Sequence, residues 1–280
     1  MLLYKYFPPE RNSFLNNRLV RFTQPGLFND PFDAFPAITG YDEERAKQHV
    51  ERNALNIAFD MALGETDDIE PGLTLNSLIL STVELKRKYA ADPGQIGVIF
   101  QSCLLGRMQK QIGILCLTEN QRSILMWSHY AKDHKGFVVG FDSENEFFKQ
   151  RDDEPDEIGL LLPVRYVKKR PSIDVNIIET DKPAPDFLFS KNQEWTYEQE
   201  WRIIRFLKNA DETRNGDVYL FNVPPSAIRE IVIGSSASAD MANELFAEAE
   251  KRPELNHVKF YKAKLSRTEY EMDLSPFLPK

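Results

Sequence analysis

The stretch Glu194-Trp195-Thr196-Tyr197-Glu198-Gln199-Glu200-Trp201-Arg202-Ile203-Ile204-Arg205 concentrates groups that can do chemistry. If its later part is a strand, period two places Glu198, Glu200 and Arg202 on one face and Trp201 with Ile203 on the other. Two carboxylates so placed repel each other and raise one pKa, while the guanidinium keeps its neighbour ionised. That combination suits acid/base or electrostatic work. The structural alternative, weighed equally on this segment alone, is an exposed ion pair on an edge strand.

Two further segments carry polar tips. The spacing predicts a helix over Ile124–His134, with Ser123 as its N-cap and Gly136 ending it. Trp127, Tyr130, Ala131 and His134 then share a face, which sets an indole N–H, a phenol and an imidazole side by side. These rings suit stacking on a flat ligand, while satisfied core hydrogen bonds are the alternative, above all for His134. The third segment is Phe28-Asn29-Asp30-Pro31-Phe32-Asp33. Pro31 disfavours a helical Asp30, so an ordered loop is expected. Its Asn29 and Asp30 either make side-chain-to-backbone turns or grip hydroxyls such as those of a ribose.

The scaffold reads as α+β. Short apolar strands are expected at Leu2–Phe7, Leu19–Thr23, Ile112–Leu117, Phe137–Phe141, Leu160–Val167, Gln199–Phe206, Val218–Val223, Ile228–Ile233 and Val258–Leu265, with a helical turn at Ser13–Asn17 and a helix at Asp240–Lys251. Turns and irregular loops join most of the later strands, which predicts a mainly antiparallel sheet, split or continuous. Residues 42–110 have a helical pattern and are expected to form an inserted helical layer within one domain spanning 1–280.

Composition narrows the class. The chain is 42% hydrophobic and 28% charged, and its 35 basic and 43 acidic residues give a net charge of −8, which repels polyanions at long range. One basic cluster, Arg165 with Lys168-Lys169-Arg170, is read first as a solvated surface. No apolar run approaches transmembrane length and Pro8-Pro9 interrupts the N-terminus early, so a cytoplasmic protein without membrane contact is expected. Cys103 and Cys116 are too few for a disulfide scaffold or a thiolate zinc site, and both are read as reduced and structural. The four histidines are scattered, and no Gly-x-Ser-x-Gly elbow or Gly-rich phosphate loop occurs.

The combination Leu3-Tyr4-Lys5-Tyr6, Phe28-Asn29-Asp30-Pro31-Phe32-Asp33, Met126-Trp127-Ser128-His129-Tyr130-Ala131 with His134-Lys135-Gly136, and Trp195-x-Tyr197-Glu198-x-Glu200-Trp201-Arg202 resembles a bacterial domain-of-unknown-function family often found near mobile elements and phage-defence genes. A fainter resemblance is to ADP-ribosyltransferases, in which a split antiparallel sheet carries motif residues in a similar order. That likeness implies a catalytic Glu200 with Glu198 two residues before it, Tyr4 or Lys5 at the first motif, and Thr23 or Tyr130 at the second. Lys5 departs from the His or Arg of that pattern.

NAD is then the expected substrate. Trp127 or Tyr130 would stack on nicotinamide, and Asn29 and Asp30 would orient the ribose, with His134 and Arg202 beside them. The acceptor would be an unidentified protein or nucleic acid, or water, and the role that of a toxin or phage-defence effector. Two competing readings stand beside it. One is a magnesium-dependent nuclease using Asp30, Glu198 and Glu200, with Arg202 or Lys191 at the phosphate. The other is a non-enzymatic partner-binding protein.

Overall fold

Alternating apolar residues sort the strands between two cores. In β1 (Leu2–Phe7), Leu3 and Phe7 join one buried cluster, while Tyr4 and Tyr6 join another. The computed structural model describes residues 1–39, 106, 108, 110–152, 154, 158–174 and 185–279. The expected helical layer at 42–110 lies almost wholly outside the described residues.

In chain order, α1 (Phe14–Asn17), β2 (Leu19–Phe22), β3 (Ala37–Thr39), β4 (Ile112–Thr118), α2 (Ile124–Tyr130) and β5 (Phe137–Asp142) follow β1. Then come β6 (Leu162–Pro163), β7 (Arg165–Val167), β8 (Ser172–Asp174), β9 (Ser190–Asn192), β10 (Glu200–Phe206), β11 (Glu212–Arg214), β12 (Val218–Asn222) and β13 (Ile228–Ile233). The chain closes with α3 (Ala239–Glu250), β14 (Lys259–Leu265) and β15 (Met272–Pro276).

Two compact units emerge, each assembled from separated segments. The first comprises Met1–Thr23, Gly113–Tyr166 and Gln193–Lys280, and the second Gln24–Ile112 and Val167–Asn192.

The first unit is built on an eight-stranded sheet of order β15-β14-β13-β5-β1-β4-β10-β6. β13 and β14 run parallel, as a crossover through α3 permits, whereas the β1–β5, β1–β4, β5–β13, β6–β10 and β14–β15 pairs are antiparallel. The expected α+β class with a mainly antiparallel sheet therefore holds. A second sheet, β11-β12-β2, is joined to β4 by the Thr23–Ile114 bridge.

Period two also places the helices. Phe137, Val139 and Phe141 of β5 and Ile231 and Ile233 of β13 lie with Met241, Ala242, Leu245 and Ala249 of α3. Val138, Val232, Tyr4 and Tyr6 lie with Met126 and Trp127 of α2. The two helices thus cover opposite faces of the sheet, α3 over the larger core.

The second unit contains the parallel pair β3–β8 and the Phe28–Asp33 loop. Asp30 Oδ1 accepts from the Phe32 amide at 2.9 Å, which makes an Asx turn stiffened by Pro31. Asp33 forms a buried ion pair with Lys191 at 3.3 Å.

Candidate functional site

The segment before β10 departs from the expected alternation. Gln193–Glu198 is a 3-10 helix, and Gln199 takes a left-handed φ of 44° before the strand begins at Glu200. Glu198 and Glu200 are therefore separated by a backbone turn and do not share a strand face. Their surroundings differ accordingly.

Glu200 opens β10 and is held from several sides. Arg202, two residues on and on the same face, grips it through both carboxylate oxygens, Nε to Oε1 at 2.7 Å and Nη2 to Oε2 at 3.0 Å. Arg202 is 0% exposed and Glu200 4%, so both charges have left water. The Tyr166 hydroxyl accepts from the Glu200 amide at 2.7 Å. The Cys116 thiol is pushed well up by burial and by the Glu200 charge beside it, which keeps it protonated and unreactive. Burial pulls the Lys5 ammonium down, against the field of Glu200, and its Nζ donates to the Cys116 carbonyl at 3.3 Å.

Glu198 ends the 3-10 helix and is 2% exposed. Its Oε1 accepts from the Tyr130 hydroxyl at 2.6 Å, and its backbone carbonyl accepts from Thr118 Oγ1 at 2.5 Å. From Tyr130 a row of rings runs outward. His129 lies 6.2 Å from Tyr130 and 6.3 Å from Tyr197 between centroids, and Trp195 lies 6.0 Å from Tyr197. His129 is exposed, and the other three are half-buried. His129, Tyr197 and Trp195 escaped the sequence reading as site residues. The Trp-x-Tyr spacing just ahead of Glu198 was the available signal, but no regular element was expected over those residues to show which way their rings face.

Helix α2 delivers Tyr130. Ser123 caps it, accepting from the Met126 amide at 3.4 Å, as the sequence indicates. Trp127 is completely buried, its indole N–H donating to the Gln121 carbonyl at 2.9 Å and its ring edge-on to Tyr6. The ring therefore serves the core and is closed to a ligand. The helix stops at Tyr130, short of the expected His134, because Lys132, Asp133 and His134 all adopt left-handed φ of 50°, 54° and 63°. His134 stacks on Trp127 at an interplanar angle of 8°, and its Nε2 pairs with Ser128 Oγ at 3.3 Å. Burial lowers its pKa despite nearby Asp133.

Gly136 ends this segment by sterics, since a Cβ there would sit 1.9 Å from the Phe7 carbonyl oxygen. The expected C-cap role is taken by the three left-handed residues before it.

Of the remaining candidates, Tyr4 turns toward Glu230 across Gly140, where an added Cβ would crowd Glu230 Cγ at 2.7 Å and Tyr4 Cε1 at 2.9 Å. Burial and the adjoining Glu230 carboxylate drive the Tyr4 pKa up. Thr23 serves the β4 bridge through reciprocal backbone bonds of 2.9 Å with Ile114. Exposed Asn29 and buried Asp30 belong to the loop of the second unit. Among the described residues, no three His, Cys, Asp or Glu side chains gather as a metal site. Among them, too, no helix is long and apolar enough to cross a membrane.

A family model described as "Protein of unknown function (DUF2971)" matches residues 126–203. The match begins in α2 and ends inside β10, so it contains both members of the Tyr130–Glu198 and Glu200–Arg202 pairs as well as the aromatic row. It also covers the two longest motifs on which the family resemblance rests. No curated protein and no solved structure matches the chain.

Proposed function

We propose that this chain is an ADP-ribosyltransferase-like enzyme of the cytoplasm that uses NAD as its substrate. The observation that carries the reading is the 2.6 Å bond from Tyr130 to the buried Glu198 carboxylate, at the inner end of the row His129, Tyr197 and Trp195. Breaking the nicotinamide–ribose bond builds positive charge on the ribose, and a fixed carboxylate stabilises it. The nicotinamide leaves with the bonding electrons. An acceptor oxygen or nitrogen, from protein, nucleic acid or water, then bonds to the ribose C1′ and gives up its proton.

Glu198, joined to the aromatic row through Tyr130, is taken as that carboxylate, with Glu200 two residues on. Glu200 already faces a full positive charge on two oxygens. The Tyr130 hydroxyl, a neutral phenol, holds the Glu198 carboxylate in orientation at the end of the aromatic row. Tyr197 and His129 offer faces for the nicotinamide ring, and the Glu200–Arg202 pair anchors the start of β10 behind them. A toxin or phage-defence role belongs to the same proposal.

The test is incubation with NAD followed by quantification of nicotinamide. Wild-type protein should release it with and without chelator, and Glu198→Gln should lower the rate by at least about 100-fold, in the range reported for lost electrostatic stabilisation. The glutamine oxygen can still accept from Tyr130, and a melting curve of the variant separates lost activity from lost fold. Intact NAD in the presence of wild-type protein and candidate acceptors would refute the proposal.

A further inference from the structure

Two segments of the second unit, singled out separately in the sequence, form one rigid assembly. Arg170 Nε donates to the Phe35 carbonyl at 2.7 Å and its Nη2 to the Pro36 carbonyl at 2.6 Å. The Ala37 amide donates to the Pro171 carbonyl at 2.7 Å, and β3 and β8 continue from there in parallel register. The Arg170 guanidinium lies over the Phe32 ring, 5.5 Å from its centroid. Phe32 nevertheless remains 60% exposed. The ring is thus held in one orientation with much of its surface open to a ligand.

Among the described residues of these two segments, the acidic and basic side chains differ in exposure. The carboxylates of the loop turn inward, Asp30 to the Phe32 amide and Asp33 to Lys191, and are 7% and 3% exposed. Lys168 and Lys169, immediately before Arg170, are exposed. Among the described residues neither takes part in an ion pair. In a chain of net charge −8, this is a local reversal of sign beside an exposed aromatic.

We propose that Phe32, Lys168, Lys169 and Arg170 form a docking site for single-stranded nucleic acid. A base stacks on the open part of the Phe32 ring, the two lysines engage flanking phosphates, and Arg170 holds the ring in place. Stacking on an aromatic is sequence-tolerant because every base has a π-face, while phosphate contacts make the binding salt-dependent. A duplex keeps its bases stacked on one another and would meet only the lysines. The inference is independent of the NAD reading.

The experiment is fluorescence anisotropy with labelled single-stranded DNA and RNA of roughly 20 nucleotides and mixed sequence, together with a duplex of equal length. Binding of the single strands at about 50 mM salt should weaken steeply toward about 200 mM. Phe32→Ala should lower affinity about 5- to 100-fold, from the usual value of one base–aromatic stack, whereas Phe32→Trp should retain it. Lys168→Glu combined with Lys169→Glu should remove binding. All these positions are on the surface, and melting curves will verify folding. No binding at the lower salt, a Phe32→Ala affinity within twofold of wild type, or duplex binding as tight as single-strand binding would each overturn the proposal.

Discussion

Removing the charge of Glu200 tests the description of β10 most sharply. Arg202 is 0% exposed, and the glutamate beneath it accepts two guanidinium donors at 2.7 and 3.0 Å. Glu200→Gln removes the carboxylate charge from this bidentate pair and leaves position 200 one acceptor oxygen to offer the buried guanidinium. Breaking a buried pair from one side costs roughly 3–5 kcal/mol, because the remaining ion keeps its desolvation penalty while losing that attraction. At about 2–4 °C per kcal/mol for a chain approaching this size, the melting temperature should fall by roughly 10 °C. Arg202→Met should cost a similar amount. Replacing both, Glu200→Gln with Arg202→Met, removes both charges and should melt closer to wild type than either single variant. Thermal denaturation followed by circular dichroism on the four proteins closes the cycle. Single variants within about 2 °C of wild type, below the effect of one kcal/mol, would refute the burial and geometry assigned to the pair.

Three further outcomes follow from the segment linking α2 to β5. Gly136→Ala should prevent correct folding or destabilise by more than about 4 kcal/mol, since its Cβ would meet the Phe7 carbonyl oxygen at 1.9 Å; denaturant titration measures this. Asp133→Gly should stabilise by less than about 1 kcal/mol, because glycine takes a φ of 54° more readily than Asp but gives the unfolded chain more freedom, and a slightly raised denaturation midpoint would show it. His134 has its folded-state pKa lowered by burial below the ordinary 6.5, so the unfolded chain binds the proton more readily. Its contribution to stability is complete above that value and is lost as pH falls below it toward the folded pKa. His134→Phe, which keeps a ring against Trp127, should flatten that part of the stability profile in denaturation curves run across pH.

Much of the scaffold was legible in the sequence because period-two patterns were strong where strands are buried. Leu3, Phe7 and their alternating tyrosines identified β1, and Phe137-Val138-Val139-Gly140-Phe141 identified β5. Met272–Pro276 was not foreseen as β15, since Met-Asp-Leu-Ser-Pro has little β-branched character and gains its place by pairing with β14. Boundaries failed where backbone conformation overrode pattern. Glu198 fitted a strand face by count, yet a left-handed Gln199 ended the register. The heptad-like spacing of Trp127 and His134 suggested one continuous helix, but their rings meet through three left-handed residues beyond its end. Glu200 and Arg202 were legible as a pair because both sit inside the strand. The Tyr130–Glu198 bond spans 68 positions and was invisible to any local rule.

The account stands on the aromatic row beside Glu198 being the seat of a planar ligand, and titration of NAD against intrinsic tryptophan fluorescence addresses that claim most directly. Trp127 is sealed in the core and Trp201 donates to Glu119, whereas half-buried Trp195 ends the row. NAD should quench emission saturably in wild-type protein, and Trp195→Phe should lose most of that signal, while Tyr197→Ala should weaken binding about tenfold, the value of one lost aromatic stack. Absence of saturable quenching, or quenching undiminished in Trp195→Phe, would contradict it.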